Sequence, residues 1–93
     1  MTISVVLPHA LTPYSRGSGV LLLEDRCDTV HDALASVARS YPAVTDRILT
    51  EQGMLRRHVN LFVGSESIRF LNGLSTPLAD GDTITVVPAV SGG

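Results

Sequence analysis

Ala79-Asp80-Gly81-Asp82-Thr83-Ile84-Thr85-Val86-Val87-Pro88 decides the fold. Asp and Gly together favour a tight turn over 79–82. From Thr83 polar and apolar residues alternate, the period of a strand that buries Ile84 and Val86 on one face. After Pro88 come only Ala89-Val90-Ser91-Gly92-Gly93. If this last strand lies centrally beside the first, its end is rigidly anchored and the tail leaves the domain as a stalk.

Upstream, Ile3, Val5 and Leu7 alternate with Ser4 and Val6 and read as an amino-terminal strand. Residues 8–19 carry Pro8, Pro13, Gly17 and Gly19 and read as a long turn. Val20-Leu21-Leu22-Leu23 is a second strand, paired with the first as a hairpin. The period then changes. Thr29 and Asp32 form a capping-box pattern, with Asp in place of Glu. Val30, Leu34, Val37, Ala38 and Tyr41 follow at helical spacing on one face, and Pro42 stops the helix. A short helical piece is expected over Asp46–Thr50. Val59, Leu61 and Val63 alternate in the clearest strand of the chain, and Ser67–Phe70 reads as a further short strand. The order ββαββ plus a last strand predicts an α+β domain, with one main helix packed across a mixed sheet.

Composition narrows the function. The chain has 93 residues, 44% of them hydrophobic and 17% charged, which fits one small domain with a real core and excludes a disordered tail. A net charge of −2 gives no electrostatic reason to expect nucleic acid or an anionic membrane as partner. All seven basic residues are arginines, so no side-chain amine is available for Schiff-base chemistry. A single cysteine, Cys27, excludes an internal disulfide and makes a reducing cytoplasm the expected compartment. No apolar run is long enough to span a bilayer, and no signal peptide is visible.

Internal candidates for chemistry are weak. His9, His31 and His58 lack metal-ligand spacing, so no metal site is expected. Cys27 precedes a helix start, where a thiolate is favoured, but packing is the plainer reading. Arg56-Arg57-His58 is a small basic patch that reads first as a solvated strand start and second as a dock for an acidic partner. Phe62, Phe70 and Leu71 read as core, or else as an apolar docking surface.

The terminal Gly92-Gly93 stands out by context. An ionised carboxylate is a poor electrophile. Activation on the α-phosphorus of ATP makes it an acyl-adenylate. Glycine lacks a Cβ, so its backbone can thread a narrow channel. Pro88, Ala89 and Val90 would anchor the tail at the channel mouth, with Ser91 and Gly92 inside. Mobility is expected beyond Val90, which divides the chain into a domain over 1–88 and a reactive tail over 89–93.

Val59-Asn60-Leu61-Phe62-Val63-Gly64, Ile68-Arg69-Phe70, Gly73 to Asp82 and Val87-Pro88-Ala89-Val90-Ser91-Gly92-Gly93 together resemble the ThiS/MoaD family of sulfur-carrier proteins. The resemblance covers nearly the whole chain. It implies a ubiquitin-like β-grasp fold and a protein co-substrate rather than an enzyme. By that resemblance an E1-like adenylyltransferase/sulfurtransferase uses ATP to adenylate the Gly93 carboxylate, which becomes a thiocarboxylate. The tail is similar to the Pro-Ala-Val-x-Gly-Gly of carriers that serve cysteine biosynthesis in actinobacteria, with Ser91 where Ala is expected. Implied partners are a pyridoxal phosphate (PLP)-dependent cysteine synthase or a thiosugar synthase, and a metal-dependent peptidase. Those cofactors belong to the partners. Two alternatives stay open: a ubiquitin-like modifier conjugated through Gly93, and a small subunit of the molybdopterin-synthase type working by docking.

Overall fold

The computed structural model of the chain describes residues 1–88. Its strands are β1 (Ile3–Val6), β2 (Val20–Leu23), β3 (Val59–Val63), β4 (Glu66–Ser67) and β5 (Thr83–Pro88). They form one mixed sheet in the order β2-β1-β5-β3-β4. The last strand is therefore central. It runs parallel to β1, with Val5 opposite Ile84, and antiparallel to β3, with Leu61 opposite Val86.

Helix α1 (Val30–Ser40) lies across one face of this sheet. The capping box is present: Thr29 Oγ1 accepts from the Asp32 N–H, and the Asp32 carboxylate accepts from the Thr29 N–H. The buried face is Val30, Ala33, Leu34 and Val37, while Ala38 and Tyr41 lie at its half-buried margin. Ile3, Val5, Leu21, Leu23, Leu61, Ile84 and Val86 meet this face from the sheet in one core. Each Val, Leu or Ile side chain so buried contributes about 1.5–3 kcal/mol of transfer free energy.

Three local expectations are corrected. The long turn over 8–19 contains a 3₁₀ segment, His9–Ser15, tightened by Ser15 Oγ donating to the Thr12 and Ser18 carbonyls. The second helical piece is α2 (Pro42–Ile48), which starts earlier than Asp46. Pro42 ends α1 but opens α2, because a first-turn residue needs no amide hydrogen. The strand read over Ser67–Phe70 is β4 followed by a 3₁₀ turn, Ile68–Phe70. Ser67 Oγ accepts from the Arg69 N–H and caps that turn, while Ile68 drops into the core.

The turn before β5 is pinned to the amino terminus. Gly81 adopts φ +88, a conformation that disfavours residues with a Cβ. Its N–H donates to the Thr2 carbonyl at 2.8 Å, and the Asp80 carboxylate accepts from the Thr2 N–H at 2.8 Å. The Asp82 carboxylate closes the turn on the Ala79 N–H at 2.8 Å. Both aspartates are thus spent on fixing where β5 begins.

Candidate functional site

β5 enters its ladder through the Asp-Gly-Asp turn and leaves it at Pro88, which lies opposite Val59, the first residue of β3. Pro88 has no amide hydrogen to contribute, so the ladder ends there without loss. Val87 and Pro88 are both exposed, whereas Ile84 and Val86 are buried. β5 is paired on both sides through Thr85, and its end, Val86 to Pro88, is held by β3 and open at its tip. The remaining candidate residues of the tail, Ala89, Val90, Ser91, Gly92 and Gly93, lie outside the described residues, as does the expected mobility beyond Val90.

Around Pro88 the surface is concave. A notch of about 160 Å³ is walled by Pro8, Leu11, Val59, Val86 and Pro88, with Arg47 and His58 at its rim. Its apolar wall comes from the end of β1, the 3₁₀ segment after it, and the β3–β5 pair. A second cleft beside it is lined by Asp46, Arg47, Arg56 and His58. Arg56 Nε donates to the Asp46 carbonyl at 3.0 Å and ties the segment before β3 to α2.

The expected docking residues fall into two groups. Arg56 and Arg57 lie at the tail end of the sheet, on the segment that leads into Val59. Phe62 is half-buried, and its register opposite Thr85 and Ser67 places it on the sheet face away from α1. Val6, opposite both Thr85 and Val20, continues that face. Phe70 is 85% exposed and Leu71 44% exposed, so neither is core. Arg69 links the two groups. One of its guanidinium nitrogens donates to the Val59 carbonyl at 2.7 Å and to the Arg56 carbonyl at 3.3 Å. The residue beside Phe70 thereby fixes the segment carrying Arg56 and Arg57.

Arg69, Arg47 and Leu11 were not legible as site residues. They come from three distant parts of the chain, and no local spacing marks them. Cys27 is packed in the core, which is its plainer reading. It is 1% exposed, and burial pushes its thiol pKa up, with the nearby Asp25 and Asp32 carboxylates adding to the rise. A position just before a helix start does not yield a thiolate when the sulfur is desolvated. His9, His31 and His58 are exposed, and among the described residues no group of three or more His, Cys, Asp or Glu side chains converges as a metal site would require.

A helix laid across a five-stranded mixed sheet, with the last strand inserted beside the first, defines a ubiquitin-like β-grasp protein. Residues 11–93 match the model of the ThiS family. The sulfur carrier protein CysO of Mycobacterium tuberculosis is 34% identical over 95 residues, covering 100% of both chains. Small archaeal modifier protein 3 of Haloferax volcanii is 37% identical over 65 residues, 70% of each chain. Among solved structures, a chain of the Amycolatopsis orientalis BexX/CysO complex superposes with a TM-score of 0.86 at 32% identity, covering 98% of this chain and 99% of that one. The chain belongs to the ThiS family, and its general role is that of a sulfur carrier.

Proposed function

We propose that the working group of this protein is the Gly93 carboxylate and that everything upstream presents it. A carboxylate oxygen attacks the α-phosphorus of ATP in an E1-like adenylating enzyme, and pyrophosphate leaves. A sulfur donor then attacks the acyl carbon, AMP leaves, and a thiocarboxylate results. The terminal sulfur is a soft nucleophile, and it attacks an electrophilic acceptor held by a second enzyme. The ATP and any PLP or metal belong to those partners.

The observation that carries this reading is the position of β5. A central strand, hydrogen-bonded on both sides and ending in exposed Pro88, is a firm base from which to insert a chain end into another protein. Residues 89–93 can span at most about 17 Å at ~3.3–3.6 Å per residue, enough to enter a channel while the folded body stays outside. Likeness to CysO proteins favours cysteine biosynthesis as the service rendered, through a PLP-dependent cysteine synthase as acceptor and a metal-dependent peptidase that releases the product. The BexX/CysO complex among its structural neighbours supports enzyme partners in general, and a thiosugar synthase is a further acceptor of the same kind.

The test is mass spectrometry of the intact protein after incubation with its cognate adenylating enzyme, ATP and sulfide. The expected result is replacement of one carboxylate oxygen by sulfur at Gly93. The same protein extended by a bulky residue after Gly93 should stay unchanged. Sulfur gained by the extended form without trimming would overturn the reading.

Likeness to small archaeal modifier protein 3 favours a second reading, conjugation through Gly93 to amines on other proteins. Adducts of higher mass that survive thiol treatment would support it. The absence of lysine in this chain rules out self-linked chains through side chains, but not single attachment.

A further inference from the structure

The net charge of −2 conceals a polarity along the sheet. At the end where β5 begins, Glu24, Asp28 and Asp80 border one cleft, and Asp82 closes the adjoining turn. The guanidinium there, Arg26, is taken up by Asp28 at 3.0 Å, and Met1 lines the same cleft. At the end where β5 stops, the signs reverse. Arg47 stands on the rim of the apolar notch, Arg56 lies in the adjoining cleft, and Arg57 follows it into β3. Arg69 adds a fourth guanidinium, spent on carbonyls rather than carboxylates. Arg47 and Arg56 share that cleft with one carboxylate, Asp46. Among the described residues the two ion pairs are Arg26–Asp28 and Arg39–Asp25, so neither draws on these four.

Three of the four, Arg47, Arg56 and Arg69, are also held rather than trailing, while Arg57 is exposed. Arg47 stacks on the Tyr14 ring with its guanidinium carbon 4.5 Å from the centroid. Arg56 is tied to the Asp46 carbonyl and Arg69 to three carbonyls of the 56–59 segment. Excess charge fixed in place attracts an opposite surface at a smaller entropic cost than free side chains do. The notch between them suits one apolar side chain, since a cavity of about 150 Å³ holds a benzene ring.

We propose that this cationic collar and its notch form a docking surface for the adenylating enzyme, whose channel mouth bears carboxylates around one projecting apolar residue. The collar borders the root of the tail, so an enzyme that admits the tail must approach it. Four arginines on a chain of net negative charge are a poor basis for holding a nucleic acid, but they suit the local acidic rim of a protein. This inference rests on the tail chemistry proposed above and adds the surface that guides it.

The test measures sulfur transfer onto the carrier by its cognate adenylating enzyme, as kcat and KM, from low to high salt. Arg57 is exposed and its side chain has no hydrogen-bond or ion-pair partner among the described residues, so Arg57→Glu keeps the fold. It should lower kcat/KM at low salt by about threefold or more, and Arg47→Glu/Arg57→Glu by about tenfold or more, mainly through KM. Salt should weaken the wild type and narrow its lead over both variants. Glu24→Arg, at the other pole, should change kcat/KM by less than about twofold, separating local from net charge. If the variants accept sulfur as fast as the wild type at low salt, the collar is refuted while the tail chemistry stands. If the wild type itself gains no sulfur, the tail reading falls and takes the collar with it.

Discussion

Replacing Ile84 by Ala tests whether β5 anchors the molecule. Ile84 is fully buried and lies opposite Val5 on β1 and Val63 on β3. The change removes everything beyond Cβ. At about 0.8 kcal/mol per buried carbon group the transfer loss is roughly 2.4 kcal/mol, and the cavity left in a close-packed core adds to it. Substitutions of this kind cost about 2–5 kcal/mol, and ~3 kcal/mol is expected here. A domain of 93 residues, at about 0.05–0.15 kcal/mol per residue, has only ~5–14 kcal/mol to lose. At roughly 4–8 °C per kcal/mol, the melting temperature should fall by about 12–24 °C. Val87→Ala is the matched measurement on the same strand. Val87 points to the other face, is 37% exposed, and should cost less than about 1 kcal/mol. Urea unfolding followed by far-UV circular dichroism reads both. A loss below about 1 kcal/mol for Ile84→Ala, or equal losses at the two positions, would show that β5 is not the buried centre of the sheet.

Two further outcomes follow from the region between β2 and α1. Asp25 accepts from Arg39 at 2.6 Å and from Ser36 Oγ at 3.1 Å, and these two bonds, Arg39 first, hold its carboxyl below the usual aspartate range. With the folded pKa below the unfolded one, the stabilisation is complete at neutral pH and is lost as pH falls through the folded value. Wild type and Asp25→Asn should therefore differ in urea midpoint near pH 7 and converge in acid; a gap independent of pH would refute this. Cys27, buried and with a raised thiol pKa, should resist iodoacetamide in the native protein and react on unfolding in urea, as mass spectrometry would show. Native labelling as fast as that of a free thiol would contradict the burial.

Local signals were legible where one residue type satisfies one local need. Thr29 and Asp32 cap a helix with their own side chains, and the structure keeps both bonds. Asp80-Gly81-Asp82 demanded a turn, and Gly81 takes the positive φ that such a turn needs. Strand period sorted Ile84 and Val86 inward from Val87 outward. Signals were misread where tertiary contacts settle the outcome. Ser67–Phe70 carries strand-forming residues, yet the chain turns there so that Ile68 fills the core and Phe70 is left in solvent.

The one-dimensional chain determined the elements, their inward faces and the glycine-ended tail, because periodicity, capping and turn chemistry act between residues a few positions apart. Tertiary structure alone decided what surrounds the root of that tail. Leu11, Arg47, Arg56 and Arg69 belong to four separate segments, and only the insertion of β5 between β1 and β3 brings them to the end of the sheet where Pro88 lies. Charge and shape at a surface depend on distance through space, and nothing in the spacing along the backbone records that distance.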